Sequence, residues 1–106
     1  MSTPLERLQE TSEALRAAVA SADALLAARQ HADDATLRSM RNQLEDWRLA
    51  AASGYADEEQ FLAELSRAGN EWLTLVGSSK RHGFEEWKMR NAVFTHILEA
   101  RDPLKF

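Results

Sequence analysis

The sequence predicts an all-α protein: an antiparallel bundle of about four helices with a long N-terminal helix, assembled as a homodimer. Apolar residues recur at alternating spacings of three and four along four segments, which is the period of a helix with one buried face. Gly, Ser and Asp residues separate these segments and indicate short turns, which favour antiparallel neighbours. Val, Ile and Thr never alternate with polar residues, so no segment is typical of a strand.

The first helix is predicted over residues 4–29. Thr3 can cap it, Pro4 suits its first position, and Glu6 completes a capping box. Its buried face is predicted to be a thin seam with heptad spacing, formed by Leu5, Leu8, Ser12, Leu15, Val19, Ala22 and Leu26. At about 27 residues this helix would be about 40 Å long, against about 30 Å for the others. Part of it should therefore extend past the bundle or pack on a second copy, which is the basis for the predicted homodimer.

The second and third helices are predicted over residues 34–52 and 57–76. Asp34 can cap the second helix, Gly54 can end it, and Asp57 with Gln60 resembles another capping box. The second helix repeats the seam with Leu37, Met40, Leu44, Trp47 and Ala51. The third has Phe61, Leu65, Ala68, Trp72 and Val76, widened by Leu62, Leu73 and Leu75.

The fourth helix, predicted over residues 84–101, carries two apolar stripes instead of one. The first stripe, interpreted as its core face, is Phe84, Trp87, Phe94 and Leu98. The second is Met89, Val93 and Ile97, bordered by Arg90 and Arg101. At 100° per residue the two stripes cannot point at the same neighbour. Either the helix is central and buried on two sides, or its second stripe is open for another chain.

Composition limits the function classes. A chain of 106 residues with 44% apolar residues fits one domain, residues 1–106. The formal net charge of −4 argues against wrapping DNA or RNA, and the lack of cysteine excludes disulfides and thiolate metal sites. The N-terminus has no signal-peptide pattern, and no apolar run approaches the roughly 20 residues that span a bilayer. A cytoplasmic location is expected.

No group of residues indicates catalysis, and we expect neither an enzyme nor a bound metal or cofactor. The histidines His31, His82 and His96 lack helical metal-ligand spacing. No serine lies in a Gly-x-Ser-x-Gly turn, and the four glycines are too isolated to form a phosphate-binding loop. Acidic pairs at predicted helix N-termini are explained by the helix dipole.

A nucleic-acid-binding regulator remains an alternative. Lys80, Arg81 and His82 precede Trp87, and Lys88 and Arg90 follow close by, so cations beside an aromatic ring could contact phosphate and stack on a base. The cluster is short, however, and two glutamates interrupt it. The stretch 62–69 resembles the first half of a helix-turn-helix, but no second helix follows at the required spacing.

The predicted partner interface lies on the fourth helix. It consists of Trp87, Met89, Arg90, Val93 and Ile97. Aliphatic residues with Met, edged by arginine, resemble the apolar core and charged rim of a protein interface. The other two tryptophans, Trp47 and Trp72, fall on seams and are interpreted as core residues.

In length, helical pattern and lack of catalytic residues, the chain resembles two groups of small bacterial proteins that cover a surface of another protein. These are the QslA-like antiactivators of quorum sensing and the helical immunity proteins that neutralise toxins. The features nearest to carrying the resemblance are the Met89, Val93, Ile97 stripe and the heptad helix from Leu5 to Leu26. The antiactivator resemblance implies a homodimer that binds the ligand-binding domain of a LuxR-type transcription factor and blocks its pairing.

Overall fold

The computed structural model describes residues 3–28, 35–54, 57–78 and 83–105, and these ranges contain four α-helices. They are α1 (Pro4–Ala28), α2 (Ala35–Ser53), α3 (Glu58–Gly77) and α4 (Phe84–Arg101), with a 3-10 turn at Asp102–Leu104. No strand occurs within these ranges. The all-α prediction is confirmed, and the predicted helix limits that fall on described residues agree with the structure to within one residue. The predicted end of the first helix at residue 29 and the predicted start of the second at residue 34 lie outside the described ranges.

The helix ends form as their capping residues predict. Thr3 Oγ1 accepts the backbone N–H of Glu6 at 3.1 Å, and Pro4 is the first residue of α1. The Asp57 carboxylate accepts two backbone N–H groups in the first turn of α3, at 3.0 and 3.2 Å. Gly54 follows α2 with a φ of 76°, a left-handed conformation that suits glycine. Local chemistry is therefore sufficient to set these helix limits.

α1 and α4 are the two inner helices of the fold, because α1 packs against α2 and α4, and α4 packs against α1 and α3. Two buried polar side chains of α1 join it to its neighbours. The Thr11 hydroxyl donates to the carbonyl of Ala100 in α4 at 2.9 Å, and the Ser12 hydroxyl donates to the carbonyl of Arg48 in α2 at 3.2 Å. These small side chains satisfy their own hydrogen bonds and let the three helices approach closely.

The core draws on every helix. Its buried apolar residues are Leu8, Leu15, Ala18, Val19, Ala22, Leu25, Leu37, Leu44, Trp47, Ala51, Phe61, Leu65, Ala68, Trp72, Val93, Ile97, Ala100 and Leu104. The core interpretation of Trp47 and Trp72 is confirmed. Leu5, which the heptad pattern placed in the α1 seam, is largely exposed, because it lies in the first turn beyond the reach of the core.

Ion pairs join the helix ends. Arg7 of α1 donates two hydrogen bonds to the carboxylate of Glu58, the first residue of α3, at 2.8 and 3.1 Å. Arg41 of α2 makes a similar bidentate pair with Asp23 of α1, at 2.7 and 3.2 Å. Bidentate geometry fixes the relative position of two helices better than a single contact does.

The expectation that α1 extends past the bundle is wrong. Leu25, near the end of α1, is 1% exposed, and Leu37 near the start of α2 is also buried. The 25 residues of α1 span about 37 Å at 1.5 Å per residue. Leu8, near the start of α1, is 2% exposed, so other parts of the same chain cover α1 from Leu8 to Leu25. The length of α1 therefore gives no reason for a second copy.

Two glycines should respond in opposite ways to substitution by alanine. Gly69 lies within α3, and a Cβ there would meet Ile97 Cγ2 at 3.7 Å, an ordinary contact. Gly69→Ala should raise the free energy of unfolding by about 0.5–1 kcal/mol, because alanine loses less backbone entropy in a helix. Gly54→Ala should lower it by about 1–2 kcal/mol, because its φ is left-handed and a Cβ would lie 3.1 Å from Leu5 Cδ1. Urea unfolding of both variants measures the two effects, and equal signs would contradict the prediction.

The Arg7–Glu58 pair should make the protein sensitive to acid. The hydrogen bond from Arg7 lowers the pKa of Glu58 below its ordinary value. Because the pKa of Glu58 is lower in the folded protein than in the unfolded chain, the charged carboxylate stabilises the fold at any pH above the ordinary glutamate pKa. This stabilisation is lost as the pH falls through the folded-state pKa of Glu58. Glu58→Gln should therefore lower the Tm at pH 7 and lower it less at an acid pH below the ordinary glutamate pKa. Glu59→Gln, at the same helix end, is the control for the helix dipole. A Tm difference of the same size at both pH values would contradict this assignment.

Candidate protein-binding face

The inner face of α4 is not the stripe that the sequence suggested. Its buried residues are Arg90, Val93, Ile97 and Ala100, followed by Leu104 in the 3-10 turn, at spacings of three and four. Val93 and Ile97 are both 0% exposed, and Met89 is partly buried against the core. The expectation that the Met89, Val93, Ile97 stripe lies open is therefore wrong. The reason is that α4 packs against α1 and α3 at once and needs a wide buried face.

Arg90 is also buried, at 3% exposure, and is not the rim cation that was expected. One guanidinium nitrogen donates to the carbonyl of Leu75 at 2.8 Å and lies 3.3 Å from the Ser78 hydroxyl. The other terminal nitrogen donates to Glu86 at 3.2 Å. Leu75 is in the last turn of α3, where carbonyls lack helical partners and a cation opposes the negative end of the helix dipole. Arg90 thus joins the end of α3 to α4.

The aromatic residues at the start of α4 lie outside the core. Phe84 is 68% exposed and Trp87 40% exposed, so Phe84 does not belong to the core stripe assigned from the sequence. The two rings stack with centroids 5.7 Å apart and planes 14° from parallel. The Lys88 ammonium lies 5.5 Å from the centre of the Phe84 ring. Of the five residues predicted for the interface, Trp87 is the one with a largely exposed side chain.

Further apolar residues of α4 continue from Trp87 along the outside of the molecule. Arg90 and Ile97 mark the direction of α3, because Arg90 bonds to Leu75 and Ile97 faces Gly69. At 3.6 residues per turn, Val93 and Ala100 lie about 60–80° to one side of Arg90, toward α1. Trp87, Phe94 and Leu98 lie about 40–80° to the other side. They form a row that points away from α1, along the border with α3; Phe94 and Leu98 are partly buried.

α3 contributes a second row, which is displaced along the helix axis toward the C-terminal half of α4, because Gly69 lies opposite Ile97 and Leu75 lies near Arg90. Gly69 faces α4. Around the axis of α3, the buried residues Leu65 and Trp72 lie on one side of Gly69, toward the core. Leu62, Ser66 and Leu73 lie about 20–60° to the other side, which is the outside of the α3–α4 pair. Leu73 is 49% exposed, while Leu62 and Ser66 are partly buried. We call the two rows together the outer face: Leu62, Ser66, Leu73, Phe84, Trp87, Phe94 and Leu98.

None of the seven residues of the outer face is ionisable, and the adjoining Asn70, Thr74, Asn91 and Thr95 are neutral polar residues. Two cations border the face: the Lys88 ammonium lies 5.5 Å from the centre of the Phe84 ring, and Arg101 lies between Arg90 and Phe94 around the axis of α4. The groove between α1 and α2 is the opposite case, since charged side chains line most of it. There Arg48 pairs with Glu45, and its hydrogen bond lowers the pKa of that carboxyl. Depletion of charge together with aromatic enrichment is typical of the centre of a protein interface.

The sequence contained part of the signal for this face. Leu62 and Leu73 stood out as apolar residues beyond the α3 seam, and the first α4 stripe comprised Phe84, Trp87 and their two partners. From the sequence alone both sets are interpreted as core, with Trp87 also assigned to the predicted partner interface; in the structure Leu62 and Phe94 do pack against the core. The spacing of Val93, Ile97, Ala100 and Leu104 continues past Asp102 and Pro103, and this continuation is the sequence signal for the inner face.

Among the described residues, no group of His, Asp and Glu side chains is arranged to hold a metal ion. His96 Nδ1 lies 3.1 Å from Glu99 Oε2 within one exposed turn. His31, His82, Lys80 and Arg81 fall outside the described ranges. None of the helices in those ranges has the length and apolar character required to cross a membrane.

In comparisons with known proteins, no family model, curated protein or solved structure matches the chain.

Truncation of inner and outer residues should separate the two faces of the α3–α4 pair. Ile97→Ala should lower the free energy of unfolding by about 2–5 kcal/mol, because it leaves a cavity in a closely packed core. Leu73→Ala should change it by no more than about 0.5 kcal/mol, because half of this side chain is already in water. Urea unfolding monitored by circular dichroism measures both. A larger loss for Leu73→Ala than for Ile97→Ala would show that the faces are assigned the wrong way round.

Proposed function

We propose that this chain is a small regulatory protein that binds another protein through its outer face and covers a surface that the partner needs. The observation that carries the proposal is an uncharged face on which Phe84, Leu73 and Trp87 remain 40–68% exposed. Full burial of such a side chain is worth roughly 1.5–3 kcal/mol, so the free protein forgoes part of that energy at each position. A partner that covers the face recovers it.

The face is also rigid enough to act as a preformed binding surface. Its two rows are held by Ile97 against Gly69 and by the hydrogen bonds from Arg90 to the end of α3. Binding to a preorganised surface costs less conformational entropy than binding to a mobile loop. Occlusion by the outer face therefore requires no rearrangement of the bundle.

Within this class we propose an antiactivator of a LuxR-type quorum-sensing transcription factor. The support is the resemblance in length and helical pattern to QslA-like antiactivators. The chain would bind the ligand-binding domain of the factor and block its pairing, as a non-enzymatic cytoplasmic protein that uses no cofactor. A helical immunity protein is the alternative within the same class, and it would use the same kind of occlusion against a toxin.

The antiparallel topology and the homodimer belong to this proposal as well. Contacts between opposite helix ends support antiparallel neighbours: Thr11 early in α1 bonds to Ala100 late in α4, and Arg90 early in α4 bonds to Leu75 late in α3. Dimerisation is supported by the prevalence of two-fold self-association among oligomers and by the antiactivator resemblance.

Nucleic-acid binding has less support. Arg90, one of the cations assigned to it, is buried and engaged with Leu75 and Glu86, so its guanidinium does not face a phosphate. Lys88 lies 4.0 Å from Glu85, which offsets its charge. An uncharged face in a chain of net charge −4 gives little attraction for a polyanion.

The proposal predicts that truncation of the aromatic pair abolishes partner binding without unfolding the protein. A tagged Phe84→Ala/Trp87→Ala double variant should retain less than a tenth of a specific partner in capture from cell lysate, as expected when about 2 kcal/mol of interface energy is lost. Leu49→Ala is the matched control, because Leu49 is equally apolar and 53% exposed on α2. Quantitative mass spectrometry compares the wild type with the two variants.

The antiactivator assignment is tested with a purified LuxR-type ligand-binding domain. Size-exclusion chromatography should show co-elution with the wild-type chain and with Leu49→Ala, but not with the double variant. A partner captured equally well by all three proteins would contradict the use of the outer face. Failure of co-elution, with another partner retained, would remove the antiactivator assignment alone.

A further inference from the structure

We propose that Glu86 is a positioning residue for the outer face: through Arg90 it holds the start of α4, and with it the rings of Phe84 and Trp87, in the helical conformation. This inference rests on the proposed function and names the contact on which the aromatic end of the outer face depends. Residues 84–88 contain both rings, and we call them the aromatic turn.

Glu86 is the member of the aromatic turn that lies against the body of the protein. The other four residues of the turn are exposed, whereas the Glu86 side chain is 14% exposed. Its Oε2 accepts a hydrogen bond from Arg90 Nη2 at 3.2 Å. Arg90 in turn donates to the carbonyl of Leu75 at 2.8 Å. The ion pair therefore links the aromatic turn to the end of α3.

The buried guanidinium of Arg90 depends on this carboxylate. Its side chain is 4% exposed, and Glu86 is its salt-bridge partner among the described residues. Arg90 Nε is buried and has no hydrogen-bond acceptor there. A buried cation without an opposite charge is strongly destabilising, so the fold favours conformations that keep Glu86 in place. Because the two residues are four apart on one helix, Glu86 stays in place only while the aromatic turn is helical.

The start of α4 has no side-chain cap to stabilise it. α1 and α3 begin with side chains that accept backbone N–H groups, those of Thr3 and Asp57. α4 begins after Gly83, which has a φ of 89° and makes no side-chain cap hydrogen bond. The first N–H groups of a helix have no partner within the helix, so an end without such a cap frays more readily. The Glu86–Arg90 pair therefore supplies stabilisation that a cap would otherwise give.

The contacts between the two rings and their neighbours lie within the aromatic turn itself. Phe84 stacks on Trp87, and Lys88 lies over the Phe84 ring and 4.0 Å from Glu85. These pairs need the helical spacing of three or four residues, and at exposed positions each stabilises a helix only slightly. The rings therefore keep their mutual position while the turn is helical and lose it when the turn frays.

Hydrogen exchange of backbone amides, measured by NMR on the full-length chain, tests the inference. The amide of Trp87 donates to the carbonyl of Gly83 at 3.2 Å, so its exchange reports opening of the aromatic turn. The amide of Ile97, in the core part of α4, reports opening of the whole fold. In Glu86→Ala the Trp87 amide should exchange about tenfold faster than in the wild type, as expected when a hydrogen bond to a charged group is lost. Acceleration at Ile97 should be smaller.

Glu85→Ala is the matched control. It removes the same charge from the same turn and introduces the same residue, so its effects on the helix dipole and on helix propensity are equal to those of Glu86→Ala. Glu85 pairs with the exposed Lys88 and not with Arg90. Exchange at Trp87 should therefore stay within about twofold of the wild-type rate.

A second variant, Glu86→Ala/Arg90→Met, keeps the test decisive if an unpaired Arg90 unfolds the single variant. It removes both charges, and the flexible methionine side chain fills the space of the arginine stem. The Trp87 amide should again exchange faster while Ile97 remains protected. A wild-type rate at Trp87 in this variant, or equal acceleration in Glu85→Ala, would overturn the inference.

Partner capture distinguishes this inference from the proposed function. The Glu86→Ala/Arg90→Met variant should lose the partner as Phe84→Ala/Trp87→Ala does. Retention of the partner by the first variant alone would reject the positioning role and leave the proposed function intact. Retention by the aromatic double variant would reject the proposed function and, with it, any positioning role of Glu86 in binding.

Discussion

The burial of α4 on two sides is the constraint on which the rest of the structure depends. Val93 and Ile97 are fully enclosed, Ala100 receives the hydrogen bond of Thr11 from α1, and Ile97 lies opposite Gly69 of α3. Close approach on both sides requires aliphatic and small residues, because larger rings would hold the helices apart. The exposed aromatic residues of α4, Phe84 and Trp87, are consequently outside the core.

Arg90 shows how a charge can be part of such a core. Its guanidinium bonds to the end of α3 and to Glu86 one turn earlier, so the buried cation has both hydrogen-bond acceptors and an opposite charge. This contact fixes where α3 ends relative to the start of α4. It also removes the charge of Arg90 from the surface.

These two features explain why the α1–α2 side of the molecule and the outer face of α3 and α4 differ in their content of charged residues. Bidentate pairs such as Arg41–Asp23 and Glu45–Arg48 cover the α1–α2 side, and exposed ion pairs of this kind favour hydration over association. The outer face of α3 and α4 has no such pairs and exposes Phe84, Trp87 and Leu73.

The sequence by itself determined the all-α class, the four helices and their ends, because caps such as Thr3, Asp57 and Gly54 and the three-four apolar period are local properties. It also placed Trp47 and Trp72 in the core, since each lies on a single unambiguous seam. It could not decide which side of α4 faces inward, because apolar residues surround that helix and Arg90 interrupts the true inner row. Only the tertiary structure made that choice, since burial of Val93 and Ile97 depends on the simultaneous positions of α1 and α3. The location of the outer face follows from that choice and not from the period of any one helix.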